Sequence, residues 1–442
     1  MANPGFSIPR ILEVLDINAL NEMQETSLEV TQKEDELIIL SATGSGKTLA
    51  FLLPLVRDME IPVSSTQAMI IVPSRELALQ IEQVFRSMQT GLKITACYGG
   101  HKREIEENNL LQPPAIIVGT PGRIADHLRR GNITKDSITH LVLDEFDKTL
   151  ETGFVEEVEY IFSELSSVKK KILTSATEAV DIPGFFKLNA TKKLDFLPGD
   201  KSTTEALSIQ VLKSPEKDKI ESVFKLICYL GNRSSIIFCN HREAVERTSK
   251  MLADKGIINT YYHGAMEQKD REVALAKFRN GSINFLVTTD LASRGLDISN
   301  IRYIIHYHLP ATEEVFTHRN GRTARMDASG TAILVLNDEE KLPDYIKSEV
   351  ENISLPDELE LPEKPKWTTF FIGAGKKDKV NKIDIVGFFS NRGELKKEDI
   401  GIIEVKDFFS FAAIRKVKAS NVLQLIKGQK IKNQKVKIDI AK

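Results

Sequence analysis

Cysteine is scarce in this chain: Cys97, Cys228 and Cys239 are the whole complement, too widely spaced for a CxxC pair and odd in number. That excludes a disulfide framework and a cysteine-built zinc site, and the three read as buried thiols. Long apolar runs are absent too, since nothing approaches the ~18 residues a membrane-spanning helix needs. The start of the chain, with Pro4 and Pro9 around Phe6, Ile8 and Ile11, lacks the basic residues and long apolar stretch of a secretion signal. A cytoplasmic monomer with no membrane partner and no structural metal is therefore expected.

Extremes of composition are missing as well. Hydrophobic residues are 41% and charged residues 28%, ordinary for globular protein and against disorder. A length of 442 residues exceeds what one core serves and points to about three domains of roughly 150 residues. The net charge of −2 hides an asymmetry: residues 366–442 hold 18 Lys and Arg against 8 Asp and Glu, a surplus of ten, which leaves residues 1–365 at −12. Such a basic end suits a polyanion or is simply a solvated basic face.

Short apolar runs alternate with amphipathic stretches, the mark of βα units on a parallel sheet. In the first half the strand candidates are 37–40, 68–72, 115–118, 140–143 and 171–174; the second half repeats the theme at 235–238, 284–287, 303–307 and 332–336. The polar stretch 199–205 breaks the pattern and reads as a linker, and the Pro- and acid-rich segment 355–366 as a second, extended and exposed boundary. The division expected is two tandem α/β domains with parallel sheets, 1–198 and 206–354, then a small α+β domain, 366–442. In the last, a strand at 368–372, a helix at 383–390, a hairpin pair around 400–414, a helix at 421–426 and a strand at 436–440 give the order βαββαβ.

Ser41-Ala42-Thr43-Gly44-Ser45-Gly46-Lys47-Thr48 lies between the apolar run LIIL and the apolar helix candidate TLAFLLPLV, the context of a phosphate-binding loop. Glycines let backbone N–H groups approach phosphate, Lys47 reaches the β and γ phosphates, and Thr48 offers an oxygen to magnesium. Ser41 stands where the strict pattern has Gly. Downstream, Asp144-Glu145-Phe146-Asp147 follows the run HLVL at a strand's carboxyl end, where open α/β sheets gather ligands. Asp144 is assigned to the metal and Glu145 to the base that activates water. The second half has no such loop but carries His318-Arg319-Asn320-Gly321-Arg322-Thr323-Ala324-Arg325. Clustered arginines without a phosphate cradle make sense as fingers for a nucleotide held by the neighbouring domain, worth ~10³ to 10⁵ in rate. The alternative is a solvated helix face.

In this order the pieces resemble the DEAD-box helicases of superfamily 2, over about residues 20–340. Pro73-Ser74-Arg75-Glu76-Leu77-Ala78-Leu79-Gln80 resembles motif Ia, Gly99-Gly100 the GG element, Thr120-Pro121-Gly122-Arg123 motif Ib, and Ser175-Ala176-Thr177 motif III. Residues 236–240 resemble motif IV, His263-Gly264 with Gln268 and Arg271 the next helix motif, and Thr288-Thr289-Asp290 through Arg294-Gly295-Leu296-Asp297 motif V. The resemblance implies two RecA-like domains and ATP hydrolysis, with magnesium, coupled to local RNA strand separation. It implies that Gln24 reads the adenine edge, Asp297 touches the ribose, and Arg322 and Arg325 meet the phosphates. Arg319, Asp147 and Ser175 to Thr177 would couple the domains around motif II. Pro73, Ser74, Arg75, Gly99, Gly100, Thr120, Pro121, Gly122, Arg123, Thr288, Arg294 and Gly295 would grip the RNA backbone without reading sequence. There are departures: motif II reads DEFD, the region before Gln24 lacks the usual Pro-Thr with Phe6 the sole upstream aromatic candidate, and Ala324 replaces a glycine of motif VI. A non-hydrolysing RNA clamp and a DNA-directed translocase are the rival readings.

The βαββαβ end fits an RNA-recognition-motif fold, whose third strand usually exposes stacking aromatics. Here Asp407-Phe408-Phe409-Ser410-Phe411-Ala412-Ala413-Ile414 places Phe409 and Phe411 on one sheet face, an arrangement that serves a core more often than stacking. The run Gly373-Ala374-Gly375-Lys376-Lys377-Asp378-Lys379, with Asp384-Ile385-Val386-Gly387, looks like the end domain of DbpA-like helicases. That resemblance implies a structured element of large-subunit ribosomal RNA as partner and a role in ribosome assembly, with Lys376, Lys377 and Lys379 on phosphates or else merely solvated.

Overall fold

A computed structural model describes residues 7–42, 44–151, 153–177, 182–197, 207–290, 301–321, 330–347, 349–432 and 434–442. The first α/β lobe is a seven-stranded sheet of β1 (Glu36–Ser41), β2 (Ala68–Ile71), β3 (Ile94–Cys97), β4 (Ile116–Gly119), β5 (His140–Leu143), β6 (Lys170–Ser175) and β7 (Lys192–Phe196). Its order is β3-β4-β2-β5-β6-β1-β7, and every pairing is parallel. Successive side chains point to opposite faces of a strand, so one apolar run feeds two cores. Leu37, Ile39, Ala68 and Ile70 enter one cluster with the helix Lys47–Asp58, and Ile38, Leu40, Met69 and Ile71 enter the other.

The second lobe repeats the plan with β8 (Leu207–Lys213), β9 (Ser235–Phe238), β10 (Asn259–Tyr262), β11 (Phe285–Thr288), β12 (Tyr303–His306), β13 (Gly330–Leu336) and β14 (Glu351–Asn352). The order is β10-β11-β9-β12-β13-β8-β14, again all parallel. Five of these strands, β3, β7, β8, β10 and β14, go beyond the apolar runs of the sequence. Four of them lie at sheet edges, where one side of the ladder is unpaired and an apolar run is not required; β7 buries only Leu194. β8 is interior but alternates, as LSIQVLK. The expected linker 199–205 lies outside the described residues. Residues 355–366 carry no regular structure and are mostly exposed, apart from a buried Pro365.

The end module has β15 (Trp367–Ile372), β16 (Ile400–Val405), β17 (Ser410–Arg415), a small hairpin of β18 (Lys430–Ile431) and β19 (Gln434–Lys435), and β20 (Ile438–Ile440). An antiparallel sheet in the order β16-β17-β15-β20 and the helices Lys382–Arg392 and Lys416–Leu425 complete βαββαβ. The second helix starts before 421 because its first residues, KVKAS, are too polar to register as an apolar stripe. One sheet face packs Phe370, Ile372, Ala412 and Ile414 against Phe389 and Val422 of the helices. The other carries Phe371, Phe409 and Phe411, and it is covered by Val273 and Ala276 of the second lobe's helix Gln268–Arg279. Around that seam Arg279 makes a two-pronged pair with Glu404 (2.8 and 2.7 Å), and Thr369 hydrogen-bonds Asn280 and Ser282, both at 2.9 Å. Phe411 thus takes the core role, at 1% exposure, with Phe409 half-buried beside it under the helix of the second lobe.

Candidate active site and nucleic-acid interface

β1 runs into the loop that starts the helix Lys47–Asp58, and the N-cap Gly46 lies at φ 91°, with Gly44 at φ 83°. A side chain at Gly46 is excluded twice: by that left-handed backbone and because a Cβ would lie 2.5 Å from Gln24 Nε2. The loop therefore brings its N–H groups to the amino end of a long helix, where an anion is favoured. Lys47 is buried and donates from Nζ to the carbonyls of Ser41 and Ala42; Ser41 Oγ donates to Ser45 Oγ at 2.7 Å. Thr48 follows it in the helix, half-buried.

Gln24 is 5% exposed and braces this loop. Its Nε2 donates to Gly46 O (3.2 Å), and its Oε1 accepts from Asn21 N (3.1 Å) in a capping box at the start of the helix Glu22–Val30. Asn21 Nδ2 donates to Ser45 O at 2.9 Å. Both ends of the Gln24 amide are thus tied to the protein. Asn21 went unnoticed in the sequence; the N-x-x-Q spacing of a capping box was its signal.

Asp144 and Glu145 follow β5 and are 3% and 6% exposed. Glu145 sits at φ 49°, a left-handed conformation that a residue with a side chain adopts only under constraint. The constraint is visible: its N–H is held by Asp144 Oδ1 (3.1 Å) and Thr174 Oγ1 (3.2 Å), while Thr174 Oγ1 donates to Asp144 Oδ1. Burial, and then the neighbouring charge of Glu145, push the Asp144 carboxyl up to about 6. Among the described residues, Glu145 Oε2 is buried without a hydrogen-bond partner. A buried carboxylate pair with an orphan oxygen, beside Lys47, suits a hard divalent cation with oxygen ligands. Thr174 is a second residue the sequence did not flag. Motif III is joined to motif II here: Thr177 Oγ1 donates to Asp147 Oδ2 at 3.4 Å, and Ser175 Oγ donates to Thr177 O at 2.8 Å; Ala176 is buried between them.

In the second lobe two of the expected contact residues are packed inside their own lobe. Arg319 is 1% exposed and does not reach out: it pairs with Asp290 and donates to His308 O (2.8 Å) and Asn240 Oδ1 (2.8 Å), with its guanidinium 5.1 Å from the Phe238 ring centre. It ties the motif IV and V segments together inside its own lobe. Thr288 is fully buried, and its hydroxyl donates to Tyr262 O (2.7 Å), which holds β11 to β10. Thr43, Arg294, Gly295, Asp297, Arg322 and Arg325 lie outside the described residues.

The motif Ia, GG and Ib segments stand together at the carboxyl ends of β2, β3 and β4. Pro73 leads to Ser74, which caps the helix Arg75–Ser87 by accepting from Leu77 N (3.2 Å). Gly100, at φ 99°, leaves room for the Arg75 guanidinium, which a Cβ would meet at 2.3 Å; Gly99 is open. Thr120 and Pro121 begin the helix Pro121–Arg129, with Gly122 open and Arg123 paired to Glu106 at 2.8 Å. In the end module Lys376, Lys377 and Lys379 are exposed on a tight turn whose backbone is pinned to Lys406 and Asp407. Gly375 permits that approach, since a Cβ there would lie 2.2 Å from Lys406 O.

Comparison with known proteins matches residues 21–182 to the DEAD/DEAH box helicase family, 218–327 to the helicase conserved C-terminal domain, and 369–440 to the DbpA RNA binding domain. The ATP-dependent RNA helicase DbpA of Bacillus subtilis is 30% identical, over 98% of this chain and 97% of its own length. Its Escherichia coli namesake is 31% identical, over 99% and 100%. The chain belongs to the DEAD-box ATP-dependent RNA helicases, in their DbpA group. It is therefore an RNA-binding enzyme that hydrolyses ATP, and its two lobes are RecA-like. The fold agrees with Saccharomyces cerevisiae Dbp5, at 24% identity and a TM-score of 0.68 over 78% of this chain and 93% of that one. The DEAD-box departure at Phe146 sits in the core: the ring is 3% exposed and packs with Leu143, Val158 and Ile161 of the first lobe.

Proposed function

We propose that this DEAD-box helicase opens short duplexes in large-subunit ribosomal RNA during ribosome assembly in the cytoplasm, as a monomer with magnesium as cofactor. The observation that carries the chemistry is the buried Asp144–Glu145 pair, its orphan oxygen set beside the Lys47 loop. Lys47 exchanges its carbonyl partners for the β and γ phosphates, and the loop N–H groups meet the phosphate oxygens. Asp144 and Thr48 would hold magnesium, which when bound would supply charge neutralisation at the phosphates. Glu145 takes a proton from a water whose oxygen attacks the γ phosphorus as the bond to the β–γ bridging oxygen breaks and ADP leaves. Arg322 and Arg325 add positive charge as that bond breaks. Arg75, Gly99, Gly100 and the 120–123 segment hold the RNA backbone, while Lys376, Lys377 and Lys379 anchor a structured RNA through phosphates. The basic surplus of 366–442 and its match to the DbpA RNA binding domain support that anchor.

The test combines crosslinking of the chain to RNA in cells with RNA-stimulated ATPase assays on wild type, Lys47→Ala and Glu145→Gln. Crosslinks concentrated in large-subunit ribosomal RNA, and stimulation by fragments spanning them, are expected. Stimulation by DNA of equal sequence to the same level, or no RNA-stimulated hydrolysis to lose, would defeat the reading in favour of a DNA translocase or a non-hydrolysing clamp.

A further inference from the structure

Between the GG loop and motif Ib lies a buried carboxylate that neither the sequence motifs nor the chemistry of ATP account for. Glu106, on the helix Arg103–Leu110, is 1% exposed. Its Oε1 accepts from Tyr98 N (2.8 Å) and lies 3.0 Å from His101 Nε2; its Oε2 accepts from Arg123 Nη1 (2.8 Å) and lies 2.7 Å from His127 Nε2. Tyr98 and His101 flank Gly99-Gly100, whereas Arg123 and His127 belong to the helix that motif Ib begins. Arg123 Nη2 also donates to His101 O at 3.3 Å, and His127 Nδ1 is backed by Asn132 Nδ2 at 3.0 Å. The Arg75 guanidinium against Gly100 brings motif Ia into the same arrangement.

We propose that Glu106 is a positioning residue for RNA: one carboxylate, out of reach of the ligand, locks the GG and Ib segments into a single prebuilt surface. This rests on the reading above, that Ia, GG and Ib grip the RNA backbone. The physical argument is preorganisation. Two loops that are ordered only on binding charge their lost freedom to the affinity, and loops already fixed do not. The lock is firm. Burial acts to raise the Glu106 carboxyl, but the hydrogen bonds from His101, His127 and the Tyr98 N–H, with the Arg123 charge, hold it at about 2. An ionised carboxylate with four donors on two oxygens is a full complement. Cys97 Sγ, a Glu106 oxygen and a His127 nitrogen also lie within 4.8 Å of one another, but the Arg123 guanidinium already neutralises that carboxylate, which leaves little for a cation.

The measurement is RNA-stimulated ATPase on the full chain, titrated with RNA, for Glu106→Gln, His127→Asn and Leu110→Ala. Glu106→Gln turns one acceptor oxygen into a donor facing donors. It is expected to raise the KM for RNA on the order of tenfold, with kcat at saturating RNA and the KM for ATP within about twofold of wild type. His127→Asn, at a side chain buried from solvent, should shift the RNA KM the same way but less. Leu110→Ala, on the same helix and in the hydrophobic core, should lower the melting temperature and leave the RNA KM alone. An unchanged RNA KM in folded Glu106→Gln and His127→Asn overturns the proposal. So does an equal rise in Leu110→Ala, which would make the effect general loosening, or stoichiometric zinc in the purified wild type that Glu106→Gln loses. Absence of any RNA stimulation in wild type would instead sink the RNA-grip reading on which it rests.

Discussion

The two α/β lobes share a strand order position for position, yet the glycine-rich phosphate-loop sequence lies in the first, and a pair of lysines marks the difference. Lys47 and Lys219 each lie six residues beyond the strand that starts its sheet, β1 or β8. In the first lobe the intervening loop holds two left-handed glycines, Lys47 Nζ donates to the carbonyls of Ser41 and Ala42, and its charge acts on Asp144. In the second the loop is Ser214-Pro215-Glu216-Lys217-Asp218, without glycine, and Lys219 Nζ is held by Val335 O (2.9 Å) and the Glu340 carboxylate (2.9 and 2.8 Å). Burial pulls the Lys219 ammonium down and Glu340 pushes it back. Lys219 is thus engaged in a close two-oxygen ion pair, and its loop lacks the glycines that let backbone N–H groups approach a phosphate. Topology supplies the position, and the loop decides whether the position binds.

Swapping the consequences of the two lysines tests this most severely. Lys47→Ala is expected to cut RNA-stimulated ATP turnover on the order of 10²- to 10³-fold with little change in melting temperature. Lys219→Ala should leave turnover per folded molecule near wild type and destabilise the chain by roughly 1–3 kcal/mol, because Glu340 loses its buried partner; loss of turnover in folded Lys219→Ala would break the comparison. Next in size, Glu145→Gln should slow hydrolysis about 10²- to 10⁴-fold while fluorescent ATP still binds. Then comes the acid pair itself. Asp144 has a folded-state value near 6, above its ordinary 3.8, so its stabilising contribution is fully present below the unfolded value and is lost as pH rises through about 6. Asp144→Asn, which removes that charge, should therefore raise the nucleotide-free stability at pH 7.5 by on the order of 1–3 kcal/mol while abolishing turnover, and calorimetry at pH 5 and 7.5 should show the gain shrinking at the lower pH. The smallest effect concerns what the second lobe carries in place of a nucleotide. Arg279→Ala should loosen the end module by about 1 kcal/mol, read as faster hydrogen exchange in β15 and β17 with the first lobe unchanged.

The interior strands other than the alternating β8, and the phosphate loop, were plain in the sequence because burial on both faces demands continuous apolar runs and because phosphate demands glycine and lysine at fixed spacing. Edge strands such as β3 and β10 were not, since nothing forces them to be apolar throughout. Among site residues, Asp144, Glu145 and Lys47 announce themselves, whereas Asn21, Thr174 and Glu106 do not. Each of these acts through a partner distant in sequence: Asn21 on Ser45, Thr174 on Asp144, Glu106 on Arg123. Arg319 was legible as an arginine with a purpose, but its direction was not; only the packing of β9, β11 and β12 around it turns the guanidinium inward.

Local chemistry in the chain, then, was enough to set the family, the two repeated lobes and the identity of the phosphate-binding and acidic residues, because spacing along a strand, loop and helix is a property of sequence. Which carboxylate each of the two lysines finds, which arginine faces inward, and whether Phe409 and Phe411 meet a base or a neighbouring helix were decided only by the tertiary structure. Those outcomes depend on what a side chain finds opposite it after folding, and that partner lies dozens of residues away.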